Sequence, residues 1–397
     1  MKTQLLKILL IFLFLISKSI FSQDFTEKQK IIASDRNSFD DFAYSVSVSG
    51  NYAVVGAQNE DEDSSGSNLL VDAGSVYVFE KDGSGNWIEK QKLVPVHRHS
   101  GDKFGQSVSI NGDYVVVGAY LHDRDANNQD NKDNAGAAFI FKRAANGVWS
   151  EVTKLVAPNR KVNDWFGWSV AISGNYVVVG AVNEDEDINE TNFIDGSGSA
   201  YVFENSGNDS WNFVKKITAS ERNSFDSFGH SVAIDGNHIV VGAYQEDEDT
   251  TNSNTVSDAG AAYIFERNNG GVWSQTSKIV PTNRKSGDWF AYSVSIKNDF
   301  VLVGAFQEDE DENNSNTMAS AGAAYVFQKN GTSWTQKHKL VAFDRLTQDR
   351  FGISVSISDD YAIIGAHFED HNSQEMDYFE KAGSAYIYKK DANGNWN

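Results

Sequence analysis

Residues 104–119 read FGQSVSINGDYVVVGA, and the fold follows from this stretch. Val108 and Ile110 alternate with Ser107 and Ser109, the period of a strand with one face buried. Asn111-Gly112 is a dipeptide suited to a two-residue hairpin. Tyr114 to Val117 is a short apolar run, as in a fully buried strand, and Gly118-Ala119 ends it. Beyond it a long polar loop leads to a third strand expected over 137–141. The turn Asn146-Gly147 then precedes a fourth over 149–156. No helical period interrupts the pattern, and the whole chain holds three prolines.

The same unit recurs. The glycines of the Val/Ile-Gly-Ala tripeptide fall at Gly56, Gly118, Gly180, Gly242, Gly304 and Gly365, evenly spaced but for a single position fewer before the last. Trp87, Trp149, Trp211, Trp273, Trp334 and Trp396 keep nearly the same step. So do Asp40, Asp102, Asp164, Asp226, Asp288 and Asp349, each two residues before a Phe. Three registers agree, so the repeat is real. Four short strands per unit, six units long, predict an all-β propeller, because one four-stranded sheet cannot bury both faces alone. Residues 25–33 copy the fourth strand, and the last unit reaches only Trp396-Asn397, where its own fourth strand begins. The expected domain is therefore 23–397, with the N-terminal strand completing the last blade and closing a six-bladed ring. Trp396 duplicates the Phe25 position, so a seven-bladed ring is the alternative if the sequence is part of a longer chain.

Residues 1–22 read as a secretory leader: Lys2 and Lys7, an apolar run from Ile8 to Ile16, and Ser22 at the cut. No later stretch is apolar enough to span a bilayer. The absence of cysteine excludes disulfides and an acylated-cysteine anchor. Without the three leader lysines the chain has 31 basic against 55 acidic residues, a net charge of −24. That sign excludes a duplex nucleic-acid binder and disfavours anionic membranes. Cations are the natural counter-partners. Export, to the medium or the cell surface, as a monomer is the expectation.

With Phe104-Gly105 opening the unit and Val117-Gly118-Ala119 ending its second strand, the repeat resembles the FG-GAP repeat of integrin α-subunit propellers, in the branch found in secreted bacterial proteins. The resemblance covers residues 25–397. It implies a propeller used in adhesion or recognition. Ala43 and Ala291 replace the Gly in two repeats, and no Pro follows Gly-Ala. The family's calcium loop sits between the first and second strands, where this chain has only a tight turn. Its metal residues therefore do not carry over.

A different loop carries the acids. After each Gly-Ala come the triplets Asp61/Asp63/Ser65, Asp123/Asp125/Asn127, Asp185/Asp187/Asn189, Asp247/Asp249/Thr251, Asp309/Asp311/Asn313 and Asp370/Asn372/Gln374. Alternate side-chain oxygens suit calcium, which takes about six to eight hard oxygen ligands. Repeat one adds Gly66 at loop position six and Asp72 at position twelve, imitating an EF-hand loop. Repeat four has Asp258 at position twelve. The competing reading is a solvated acidic loop. His122, His367 and His371 lie in or beside these loops, and a transition-metal site is a further reading.

Each unit also has an Arg four residues before its Asp, read as an ion pair or a turn cap. The Trp residues read as blade packing. Binding is expected where repeats differ. The residues flanking the Phe-Gly pair vary, and Trp165, Trp168, Trp289 and Tyr292 offer an aromatic surface near the central channel for a glycan or protein partner. No blade holds an acid/base pair or nucleophile standing apart from the repeat. The reading is a calcium-dependent, non-enzymatic binding scaffold. A structural repeat of a longer surface protein and a polysaccharide-acting propeller enzyme are the alternatives.

Overall fold

The computed structural model describes residues 28–371 and 379–396. The leader expected over 1–22 lies outside them, as do Asn372 and Gln374. Blade 1 holds β1 (Phe42–Ser49), β2 (Tyr52–Ala57), β3 (Ser75–Lys81) and β4 (Trp87–Leu93). Blade 2 holds β5 (Ser107–Asn111), β6 (Tyr114–Ala119), β7 (Ala137–Arg143) and β8 (Trp149–Leu155). Blade 3 holds β9 (Phe166–Ser173), β10 (Tyr176–Ala181), β11 (Ser199–Asn205) and β12 (Trp211–Ile217). Blade 4 holds β13 (Ser231–Asp235), β14 (His238–Ala243), β15 (Ala261–Arg267) and β16 (Trp273–Ile279). Blade 5 holds β17 (Ser293–Lys297), β18 (Phe300–Ala305), β19 (Ala323–Asn330) and β20 (Ser333–Leu340). Blade 6 holds β21 (Phe351–Ile357), β22 (Tyr361–Ala366) and β23 (Ser384–Lys389). Each blade is an antiparallel meander in chain order, and no helix occurs among the described residues. The chain is an all-β propeller of six blades.

The inner strands pack in sequence, β1 on β5, β5 on β9, β9 on β13, β13 on β17 and β17 on β21. In blades 2 to 5 the middle strands are buried on both faces because each of these blades is sandwiched between two others. The junctions are main chain against main chain. Gly74, at φ +83°, faces Phe104 so closely that a Cβ there would lie 2.0 Å from its carbonyl oxygen. Gly136, Gly198, Gly260 and Gly322 repeat the contact with the next blade's Phe. The two replacements of the Phe-Gly glycine, Ala43 and Ala291, adopt the same left-handed backbone, at φ 74° and 69°. The Trp residues pack as expected. Trp149 meets Tyr52 edge-on at 5.8 Å, Trp211 meets Tyr114 and Trp273 meets Tyr176, each reaching back to the preceding blade.

The junction between the last and first blades differs from the other five. Val46 and Val48 of β1 are 66% and 65% exposed, while their counterparts Val108 and Ile110 are 7% and 5%. Ile363 and Ile387 of blade 6 are 43% and 42% exposed, where Leu302 and Val326 are fully buried. The fourth strand expected from the N-terminus is not among the pairings of the described residues. β23 pairs with β22, and Lys390 beside it bridges to Trp396, which begins that strand itself. The N-terminal segment instead runs along blade 1. Gln29 exchanges two hydrogen bonds with the Trp87 backbone, and Ser34 binds Glu89. That is the place of a fourth strand in a preceding blade, because Gln91 of β4 holds Trp149 in the same way.

Candidate functional site

The residue before each Phe-Gly pair has left-handed backbone in all six blades: Asp41, Lys103, Trp165, Ser227, Trp289 and Arg350, at φ 55–60°. Such a conformation is a rarity for bulky residues. It is over-determined here by the junction, as when Trp165 N–H donates to Asn134 O at 3.2 Å. This turn brings the variable side chains to one end of the central axis.

There the aromatics form a continuous arc. Trp165 and Trp168 stack at 5.6 Å and 17°, with Tyr120 edge-on to both. Trp168 meets His230 at 5.7 Å, and His230 meets Tyr244 at 4.6 Å and Tyr292 at 4.4 Å. Trp289 stacks on Tyr292 at 6.3 Å and 11°, and both contact Phe306 edge-on. Arg350 closes the arc, lying 5.6 Å from the Phe306 ring and 4.2 Å from Phe368. The four aromatics singled out from sequence therefore do come together, as two stacked pairs joined by His230 and Tyr244. They are half-buried, packing on one another while keeping a solvent-facing side. Burial pushes His230 down to about 4, so it is neutral, and its Nδ1 donates to the Tyr292 carbonyl at 3.1 Å. Across the mouth the surface is polar: Asn59 donates to Asp41 at 2.7 Å, and Lys103 binds Asn59 and Asp72.

The acidic loops are ordered by their own carboxylates. Asp61 Oδ1 accepts from Asp72 N–H, further along the same loop. Asp123, Asp185, Asp247, Asp309 and Asp370 do the same with Asn134, Gly196, Asp258, Ser320 and Lys381. Asp63 accepts from the N–H groups of Ser65 and Ser67, and Asp125, Asp187, Asp249 and Asp311 repeat that turn. Bonds from the Ser65 hydroxyl and N–H hold Asp63 down at about 2, so it is fully ionised at neutral pH.

Where the third member of a triplet is Asn127, Asn189 or Asn313, it plays a different part from the side-chain ligand expected of it. Asn127, Asn189 and Asn313 are exposed, and each engages the second Asp through its backbone N–H, at 3.1 Å to Asp125, 3.0 Å to Asp187 and 2.9 Å to Asp311. The Asn313 amide nitrogen donates to Glu312 instead, at 3.2 Å. Ser65 and Thr251 add a hydroxyl bond to the same Asp, each at 2.7 Å. The reason is the turn itself, in which a carboxylate caps the N–H two residues on. The donor set is all oxygen, which suits calcium in kind. Asp61, Asp63 and Asp72 do not converge within 4.8 Å as a three-carboxylate set. Among the described residues the groups that do are His99/Asp102/His122 and Glu184/Glu186/Glu190.

The recurrent Arg is bonded to the acidic loop of the preceding blade rather than to its own Asp. Arg98 donates to the carbonyls of Asp61 and Asn68, both at 3.0 Å, and Arg160, Arg222, Arg284 and Arg345 clamp the next four loops alike. The recurrent Asp is the turn cap. Its Oδ2 accepts the N–H three residues earlier, at 2.5–2.9 Å in five blades. Arg and Asp thus act separately. Below the loops of blades 1, 3, 4 and 5 a buried Lys meets the first, buried acid: Lys92 with Glu60, Lys216 with Glu184, Lys278 with Glu246 and Lys339 with Glu308, at 2.7–3.3 Å. These lysines recur in step with the other markers, a signal visible in the sequence. Burial beside these acids pushes Asp164 and Asp288 up to about 7, Asp226 to about 8 and Asp349 to about 6.

His371 lies 3.6 Å from Glu369, and His367 packs on Phe368. A cavity of about 340 Å³ lies at the outer edge, lined by Ile188, Tyr201, Phe213 and Lys216, away from the mouth.

The sequence model of the FG-GAP repeat matches six times, over residues 25–79, 87–141, 149–203, 211–265, 273–327 and 334–388. Among curated proteins none matches. A crystal structure of a Lactobacillus plantarum protein aligns over 89% of this chain and 83% of that one, with a TM-score of 0.52 at 12% identity. That likeness concerns the fold.

Proposed function

The chain belongs to the FG-GAP repeat family, and on that premise we propose that it is an exported, non-enzymatic scaffold that binds its partner at the axial mouth. One observation carries the reading. The aromatic arc breaks the sixfold repeat where the strained turns gather the variable side chains. Strained backbone persists where surrounding structure and use both hold it. Paired indole and phenol rings edged by Asp41, Asn59 and Lys103 suit a glycan, with apolar ring faces and polar edges; a protein loop is the other partner of that shape.

The test measures binding of the protein to a panel of soluble polysaccharides and, separately, of extracellular-matrix proteins. Trp165→Ala and Trp289→Ala should lose binding by at least about tenfold, the usual size of a hot-spot loss, while the melting temperature moves little. Binding unchanged in both variants would sink the mouth as the site. A structural repeat of a longer surface protein predicts no ligand at all, and a polysaccharide-acting enzyme predicts released product.

Calcium is the proposed cation of the acidic loops, held by Asp61, Asp63, Ser65 and Asp72 in repeat one and by Asp247, Asp249, Thr251 and Asp258 in repeat four. What supports it is the ionised, turn-held second Asp with its all-oxygen neighbours. The loops of Asn127 and Asn313 lack an acid at position twelve and are the weaker candidates. A melting temperature that climbs with calcium and not with magnesium is the expected result, through linkage of binding to folding. No shift at millimolar calcium would leave the counter-ions of the loops to Arg98 and its counterparts and to the buried lysines.

A further inference from the structure

Blades 1, 3, 4 and 5 bury a Glu and a Lys at the base of the acidic loop, over a Tyr from the third strand. Tyr77, Tyr263 and Tyr325 donate to the Glu, and in blade 3 Ser199 does so, with Tyr201 alongside. Blade 2 departs at both places at once. His122 stands where the others have Glu, and Phe139 where they have Tyr. A third change faces them: His99 occupies a position held elsewhere by Asn37, Lys161, Asn223, Lys285 and Leu346.

These changes converge on the turn-capping carboxylate of the blade. His122 is fully buried, and its Nδ1 lies 3.1 Å from Asp102 Oδ1. His99 Nδ1 lies 3.7 Å from Asp102 Oδ2. The two rings are 5.5 Å apart, and all three ligand atoms fall within 4.8 Å of one another. Both Nδ1 atoms are shielded from solvent, and neither makes a hydrogen bond. At 3.1 Å, His122 Nδ1 is near enough to bond Asp102 and is not aligned to do so. That geometry is expected when a nitrogen and an oxygen point at a common third atom rather than at each other.

We propose that His99, His122 and Asp102 form a site for a divalent transition-metal ion of the zinc class, ligated through the two Nδ1 atoms and the Asp102 carboxylate. Two imidazoles with one carboxylate form a borderline donor set, which selects zinc and its neighbours over calcium. Zinc bonds of about 2.0–2.1 Å at tetrahedral angles put ligands about 3.3–3.4 Å apart; His122 Nδ1 at 3.1 Å from one Asp102 oxygen and His99 Nδ1 at 3.7 Å from the other lie on either side of that spacing. The half-exposed side chain of His99 leaves a path for the ion and a fourth, solvent ligand. The ion would pin the connection between β4 and β5, which carries His99 and Asp102, to the loop after β6, which carries His122.

Lys154 sets the cost. Its ammonium donates to His122 Nε2 at 3.2 Å and to Asn128 Oδ1. An ion on Nδ1 needs the ring proton on Nε2, so binding gives up the first bond and keeps the second.

The experiment titrates cobalt(II) into the tag-free protein, reading its visible ligand-field bands, then displaces it with zinc; calcium and magnesium are controls. One equivalent of cobalt, displaced by zinc alone, is the expected result. His99→Asn and His122→Glu should each weaken binding by at least about tenfold, within the range that metal-site substitutions give. Both install residues that other repeats carry at those places, and His122→Glu gives Lys154 the carboxylate it has in other blades, so the metal-free fold should hold. Lys154→Met should tighten binding. Absence of stoichiometric binding, binding untouched by both His substitutions, or weaker binding in Lys154→Met overturns the site.

Discussion

Lys216 is the most direct test of the charge network beneath the acidic loops. Its side chain is 5% exposed and its ammonium lies 2.7 Å from Glu184, itself 1% exposed, and 2.9 Å from Glu190. Burial pushes the Glu184 carboxyl above its ordinary range, and Lys216 pulls it back. Lys216→Met keeps the apolar stem and removes the charge. Glu184 then retains only neutral donors, the Ser199 hydroxyl and the Glu186 N–H. Breaking one partner out of a buried pair costs about 3–5 kcal/mol. At an unfolding entropy of about 2 cal/mol/K per residue, a chain of this length should melt about 4–6 °C lower. The pH dependence has a definite sign. A carboxyl whose folded pKa is raised contributes stability that is present below its unfolded value of 4.5 and lost as pH rises through the folded value. The substitution raises that value further, so the loss is larger near pH 8 than near pH 5. Scanning fluorimetry at both pH values reads it directly. Lys216→Met/Glu184→Gln, with both charges gone, should recover most of the loss, because burying an amide costs far less than burying a charge. A single variant that melts like the parent near pH 8, or a double variant no better than the single, refutes the argument.

Asp164, Asp226, Asp288 and Asp349, raised to about 7, 8, 7 and 6 from 3.8, destabilise the fold as pH climbs through that range. Melting temperatures should therefore fall between about pH 5 and pH 8, and replacing all four by Asn should flatten the profile. Gly260→Ala puts a Cβ 2.0 Å from the Phe290 carbonyl and should prevent folding or lower the melting temperature steeply. Gly271→Ala, at nearly the same φ with nothing near, should cost only about 1–2 kcal/mol of backbone strain; equal effects in denaturant titrations would show that space does not decide. Trp273→Ala should cost about 3–5 kcal/mol as a buried aromatic. Trp87→Ala, on the face that no blade covers, should cost clearly less by the same titration.

The fold is legible in the sequence because its decisive signal is periodic. Three registers of Gly, Trp and Asp, with Asn111-Gly112 between two strand patterns, leave few architectures open. The aromatic mouth is legible from variation, since Trp165 and Trp289 occupy a position that varies between repeats while the Asp and Phe on either side of it do not. Its continuity is not, because Tyr120, Tyr244 and Phe306 come from the far end of the second strand and meet the others only through the junction. In sequence the acidic loops read as carboxylates in need of an external cation, with Asn127 and Asn313 as further oxygen donors. The structure turns those Asn residues into backbone donors and supplies Arg98 from the following repeat and Lys92 from beneath. Such partners lie half a repeat away, and no local motif announces them. The closing strand follows from the match of residues 25–33 to a fourth strand. The match is real, yet side chains such as Gln29 seat the segment on blade 1 while β23 looks to Trp396.

The junction glycines bear on how such a chain can change. Where Gly74 meets Phe104, and Gly136 meets Phe166, the touching atoms belong to the main chain, and main chain is the same in every unit. A contact made this way carries no address, so it does not record which blade comes before which. Whole units can be copied, dropped or reordered, and each surviving joint is the joint that stood there before. Identity must then be written elsewhere, in the turns at the axis and the loops at the rim, where His122 and Trp289 already set single blades apart from their copies.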